Sequence, residues 1–253
     1  MIEQDVLAFM ISRAQDPKRL AMFHKTVEEA IKTAGMGFDL VLWVMTPEAR
    51  RVAEGLETDY PNCISVRGYE DGNVGQHVVM NTLIEQADDE DYDYLLRLDD
   101  DVKFLTKRWL RKMVDAAEEL GGGFIISPSV VGLRHPPEST PEVEQMGVKF
   151  RVLMGAIGGI CRLHNVETLV NPQIPYVSDV RGPLGFGDAT GIGRWCQDAM
   201  EQHGVQIWMI YLSTVRVKHA KGTTLQVKDN PEYHENHDLF QKIPYIPIWR
   251  GEE

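Results

Sequence analysis

The sequence predicts an α/β fold: a single domain with a mostly parallel central sheet flanked by helices. Two observations carry that reading. Short apolar runs alternate with amphipathic, capped stretches through the first half of the chain, the pattern of βαβ units. One of these runs, Tyr92-Asp93-Tyr94-Leu95-Leu96-Arg97-Leu98, ends in Asp99-Asp100-Asp101. A buried strand therefore delivers three carboxylates to its C-terminal edge, where ligands bind in open α/β sheets.

Each element has its own local reason. Val6 to Ile11 is apolar and reads as a short strand. Ser12 to Pro17 is a loop, with Asp16 placed as N-cap and Pro17 as the first helical residue. The helix runs to about Ala34 and stops at Gly35-Met36-Gly37. Phe38 to Met45 is the second strand, and Thr46-Pro47-Glu48 opens the second helix. Ile64 to Val66 is a third strand, and Asn73 caps a helix from about Val74 to Ala87. Tyr94 to Leu98 carries the acids. Thr106 to Leu120 is amphipathic and helical, Gly121-Gly122-Gly123 ends it, and Phe124 to Ser127 is the next strand.

The second half has a different texture. Pro128 to Glu144 is rich in Pro, Ser and Glu, which predicts a surface loop. Val148 to Leu163 reads as one or two strands around Gly155 and Gly158-Gly159. A helix is expected from about Ala189 to Gln202, and one or two strands within Val205 to Val217. From Asn230 the tail mixes Pro, His and aromatic residues, and no repeat, low-complexity tract or linker divides the chain.

Composition narrows the classes. A hydrophobic content of 43% over 253 residues is enough for a sizeable core, which argues against wholesale disorder. A net charge of -12, from 26 basic and 38 acidic side chains, disfavours nonspecific adhesion to nucleic acid or anionic membrane and leaves room for a local basic groove. Cys63, Cys161 and Cys196 form no CxxC pair, so neither a zinc site nor a disulfide framework is signalled, and a reducing compartment fits. Glu3 and Asp5 stand where a signal peptide carries positive charge, and no apolar run approaches the ~20 residues of a bilayer span. The expectation is a soluble cytoplasmic protein without stable membrane insertion. The chain has no GxxxxGK[ST] phosphate loop, no GxSxG elbow and no HExxH pair, which sets aside a P-loop NTPase, an α/β-hydrolase and that zinc motif.

Three adjacent carboxylates repel one another. They persist either as a solvated acidic turn or around a cation, and hard divalent cations prefer carboxylate oxygens. From the residues alone both readings stand.

The order of features resembles the A-type-fold glycosyltransferases, in particular the family 2 group. The resemblance runs over roughly residues 5 to 225 and rests on four matches. These are the N-terminal strand with its polar loop; Gly72-Asn73-Val74-Gly75-Gln76-His77-Val78-Val79-Met80-Asn81; Leu98-Asp99-Asp100-Asp101-Val102, similar to a DxD motif; and Gly187-Asp188 before Arg194, followed by Val217-Lys218-His219-Ala220-Lys221-Gly222. The resemblance implies transfer of a sugar from a nucleotide diphosphate-sugar, such as a UDP- or GDP-sugar, to an acceptor hydroxyl. The acceptor is left open among a saccharide, a metabolite, a protein and a modified nucleic-acid base. It implies Mn2+ or Mg2+ on Asp101 and His219, with Asp99 on the metal or the ribose. Asp100 sits on the other face of the strand end, within donor reach. Asp71, Asn73 and Gln76 fall near the expected ribose and base pocket. Arg13 follows the first strand, where the family contacts the nucleotide, and Arg97 either pairs with an aspartate, meets donor phosphate or lines an exposed strand face.

Asp188 is the expected base, which makes the reaction inverting; a helix N-cap is its other reading, and Asp179 and Asp198 are fallbacks. The chain departs from the family in three places: Gly187 stands where Glu often precedes the base, the helix to Gly204 reads about one turn longer than usual, and Met45-Thr46-Pro47-Glu48 replaces an Asp-bearing turn that contacts the nucleobase. On this reading residues 1–127 form a nucleotide-sugar-binding half, 128–229 an acceptor half and 230–253 a tail. Two alternatives are a sugar nucleotidyltransferase, which needs a glycine-rich basic N-terminal loop that Ser12 to Pro17 does not provide, and a nucleotide-sugar-binding module without catalysis.

Overall fold

Strand β1, Val6–Ser12, is apolar up to its last residue, Ser12, and lies at the centre of the front half of the sheet. The structure, a computed structural model, describes residues 6–68, 76–131, 141–153, 160–173 and 187–219. Helix α1, Pro17–Thr33, begins as its sequence dictates: the Asp16 carboxylate accepts from the Lys18 and Arg19 amides and Pro17 occupies the first turn. Strand β2, Asp39–Val44, follows, and Thr46 caps helix α2, Pro47–Asp59, by accepting from the Ala49 amide. Strand β3 is Ile64–Gly68 and helix α3 is Gln76–Asp89; the expected cap Asn73 lies outside the described residues.

Strand β4, Tyr94–Asp99, carries the acids, and after two residues a short strand β5, Val102–Phe104, follows. Helix α4 is Trp109–Leu120 and strand β6 is Phe124–Val131. The helix starts later than the sequence suggests because Arg108 takes a left-handed φ of 57° ahead of it. Strands β7, Glu142–Gln145, and β8, Val148–Val152, form a hairpin. Strand β9, Cys161–Asn165, runs into the single turn α5, Val166–Leu169. Helix α6, Gly187–His203, and strand β10, Trp208–His219, complete the described chain.

Among the described residues the strands form one sheet in the order β3-β2-β1-β4-β9-β6-β10-β8-β7, with β5 pairing β10 off this path. The front, β3-β2-β1-β4, is parallel, as the strand–helix alternation requires. Behind it β9 runs antiparallel to both β4 and β6, and β8 and β5 run antiparallel to β10, so the sheet as a whole is mixed. The expected loop from Pro128 to Glu144 is corrected at both ends: β6 continues through Pro128 to Val131, and Glu142 already belongs to β7. An apolar edge such as Val130-Val131 outweighs one proline when the neighbouring strand supplies the pairing, here β10 from Arg216 to Lys218. Val205 to Val217 gives one long strand, with a register shift between Leu212 and Arg216 that bends it.

The core lies on both faces of this sheet. Phe9, Leu95, Phe23 and Trp109 are each at most 1% exposed, so it reaches from β1 and β4 into α1 and α4. Trp109 Nε1 donates to the Ala30 carbonyl of α1 at 3.2 Å, and its ring stacks on Phe104 with centroids 4.4 Å apart. Strand β5 is thereby pinned to the core despite its length. Among the described residues no helix is long and apolar enough to cross a membrane.

Candidate metal centre

The acids at the end of β4 do not share one environment. Side chains alternate across a strand. Asp99 lies on the face of Arg97, whose Nη2 is 3.1 Å from Asp99 Oδ1. Asp100 turns to the face covered by α1, where Arg19 Nη2 reaches its Oδ1 at 3.1 Å and Ser12 Oγ donates to its Oδ2 at 2.7 Å. Asp101 meets His219, with Nε2 3.0 Å from Oδ1.

His219 arrives there through β5. The pairing Val217–Phe104, Lys218–Lys103, His219–Val102 lays the end of β10 beside the chain that has just left the acidic turn. One ligand atom from each of Asp99, Asp101 and His219 lies within 4.8 Å of the others. Asp99 and His219 remain about a quarter exposed at their side chains, 28% and 27%, so the cluster opens to solvent. Two carboxylates and an imidazole suit a divalent ion that accepts both oxygen and nitrogen, a set matched by Mn2+ and less well by all-oxygen Mg2+.

Burial and neighbours set the charges. Burial pushes the Asp99 carboxyl up, opposed chiefly by Arg97. Burial pushes Asp100 up to about 6, against the pull of Arg19 and the Ser12 hydroxyl. The hydrogen bond to Asp101 raises His219 above its ordinary value, with burial opposing. Burial lowers Arg13, with the Asp100 charge opposing.

Other expected residues fall variously. Arg13 follows β1; its Nε donates to Met45 Sδ at 3.2 Å and its Nη2 is buried without a hydrogen-bond partner. Glu48 sits half-buried in the first turn of α2. Gln76 opens α3, and Asp188 lies in the first turn of α6, inside the helix and not at its cap; both side chains lie outside the described residues. Asp71, Asn73, Asp179 and the glycines 155, 158 and 159 lie outside them altogether. Nothing in the residue pattern marks Arg162, which is fully buried in β9 directly opposite Arg97 and acts electrostatically on Asp99. Only the strand pairing brings it there.

No family model matches the chain, and no curated protein matches it. Solved structures do. The mannosyltransferase PcManGT from Pyrobaculum calidifontis, in complex with GDP-Man and Mn2+, superposes with a TM-score of 0.59 at 11% identity, over 86% of this chain and 57% of that one. The S. aureus TarS fragment 1–349 with UDP-GlcNAc gives 0.55 at 12% identity, over 94% and 65%. GalNAc-T7 with UDP, GalNAc and Mn2+ gives 0.53 at 12% identity, over 96% and 53%. The chain has the A-type glycosyltransferase fold, and it spans between about half and two thirds of the length of these similar chains.

Proposed function

We propose that the protein is a metal-dependent glycosyltransferase that moves a sugar from a UDP- or GDP-sugar to an acceptor hydroxyl, inverting the anomeric centre. The observation that carries this is the convergence of Asp99, Asp101 and His219 within 4.8 Å at the C-terminal edge of a sheet with this fold. The complexes of PcManGT with GDP-Man and Mn2+ and of GalNAc-T7 with UDP and Mn2+ support the same donor chemistry.

Asp99, Asp101 and His219 would hold the metal, which stabilises the charge gained by the leaving diphosphate. Arg97 engages one oxygen of Asp99 and would hold that carboxylate in place beside the ion. Arg13 meets the nucleotide from the loop after β1, and Asp71, Asn73 and Gln76 border the ribose and base. Asp188 takes the proton of the acceptor hydroxyl as its oxygen bonds to the anomeric carbon and the bond to the diphosphate breaks. Attack from the face opposite the leaving group inverts the centre. The acceptor is a hydroxyl of a saccharide, metabolite, protein or modified nucleic-acid base.

A thermal-shift panel of UDP, GDP, CDP and dTDP, each with and without Mn2+, tests this. A ligand at ~100 times its dissociation constant stabilises the fold by about 2.7 kcal/mol. Stabilisation by UDP or GDP that needs Mn2+ is expected. Silence from all four nucleotides in both conditions would remove the reading.

A further inference from the structure

We infer that Asp100 is a positioning residue: through Ser12 it fixes the loop that carries Arg13 against the metal turn, so that the Arg13 guanidinium stands ready for the nucleotide. The inference rests on the nucleotide-sugar reading above.

Asp100 is 8% exposed and both its oxygens are engaged by protein donors, so it is not open to a ligand as Asp99 is. Its shortest tie is to Ser12, the last residue of β1 and fully buried. The Ser12 hydroxyl donates to Asp100 and accepts from the Ala14 amide at 3.3 Å. The loop is tied on its other side to the end of β2. Thr46 Oγ1 donates to the Ala14 carbonyl at 2.7 Å, and the Met45 amide donates to the Ser12 carbonyl at 3.0 Å.

Arg13 sits between these ties. Its Nε meets only a thioether, a weak acceptor, and its Nη2 is buried with no partner. A buried guanidinium donor left unmatched is unfavourable, and a phosphate or keto oxygen arriving at this edge relieves it. The hydroxyl of Ser12 and the carboxylate of Asp100 decide where that donor points, and the same carboxylate belongs to the turn that holds Asp99 and Asp101. Loop and metal turn are therefore one mechanical unit.

Ser12→Ala and Asp100→Asn are compared with the native protein by titration with Mn2+ alone, and with GDP and UDP in the presence of Mn2+. Each variant should keep its Mn2+ affinity within about twofold. Each should bind nucleotide about tenfold more weakly, as for one hydrogen bond to a charged group. Ser12→Thr, which retains the hydroxyl, should recover the affinity, and the double variant should be no worse than the poorer single one. A fall in melting temperature with unchanged nucleotide affinity overturns the inference. Loss of Mn2+ binding in Asp100→Asn also overturns it, because Asp100 would then be a ligand. If Asp100→Asn fails to fold, Ser12→Ala carries the test. A native protein that binds neither nucleotide with Mn2+ removes the glycosyltransferase reading and the inference with it; a native protein that binds, with variants that match it, removes the inference alone.

Discussion

His219 Nε2 stands 3.0 Å from Asp101 Oδ1, although the two side chains come from β10 and from the turn after β4. The carboxylate favours the imidazolium and raises the His219 pKa. A raised folded-state value stabilises the fold fully below the unfolded value of about 6.5, and that contribution is lost as pH rises through the folded value. In metal-free protein, the difference in melting temperature between the native chain and His219→Gln should therefore narrow as pH rises above 6.5. A difference that stays constant to pH 9 would show that the contact contributes nothing through charge. Mn2+ affinity should move the opposite way and strengthen with pH, since a ligating imidazole must first lose its proton.

Asp100 obeys the same sign at lower pH. Its carboxyl, pushed up to about 6, holds a proton in the folded state that the unfolded chain has already released. Its contribution to stability falls as pH rises from about 4 to about 6. Asp100→Asn should flatten the stability profile of metal-free protein across that window, read by chemical denaturation at each pH.

Asp101 is both a ligand candidate and the partner of His219, so it is the most sensitive position in the cluster. Asp101→Asn should abolish the Mn2+-dependent part of nucleotide stabilisation. Nucleotide shifts that remain equally metal-dependent in this variant would remove Asp101 from the ligand set.

As the proposed base, Asp188 should separate catalysis from binding. Asp188→Ala should cut turnover by about 10²- to 10⁴-fold, the usual contribution of a general base, and leave the Mn2+-dependent nucleotide shift intact. Unchanged turnover with intact donor binding would pass the role of base to Asp198 or Asp179. Donor binding with no turnover in any preparation would favour a binding module.

Phe104 tests whether the small strand β5 matters to the centre. It is 8% exposed and stacks on Trp109. Phe104→Ala should cost about 3–5 kcal/mol of stability, as for other buried Phe truncations. It should also weaken Mn2+ binding, because β5 is what His219 pairs beside. Loss of stability with full Mn2+ affinity would mean that β10 holds His219 in place by itself.

The parallel front of the sheet was legible in the sequence because each strand there is apolar and each helix carries a readable start, such as Asp16-Pro17 or Thr46-Pro47. The acidic turn was legible for the same reason: a buried strand that ends in charge marks a sheet edge. Strand β5 was not, since three residues are too few for any period to show. Strand β7 was also missed; all four of its residues are exposed, and only pairing with β8 makes it a strand. Arg162 was hidden among residues that read as an ordinary strand, because a buried cation is recognisable only by the neighbour across the ladder. The different roles within Asp99-Asp100-Asp101 follow from alternation, yet the partners that define them, Ser12, Arg19 and His219, come from three other segments.

The pairing of β5 with the end of β10 also bears on how the chain is made. The acids leave the ribosome early, while the imidazole that completes their set is synthesised more than a hundred residues later, at position 219. Contacts of such long sequence separation form late, after the loop-closure entropy has been overcome. During synthesis the three aspartates therefore precede the His219 partner that Asp101 meets in the folded protein. On the proposed ligand set of Asp99, Asp101 and His219, full metal affinity would appear only when β10 docks, so ion binding would report that this strand is in place.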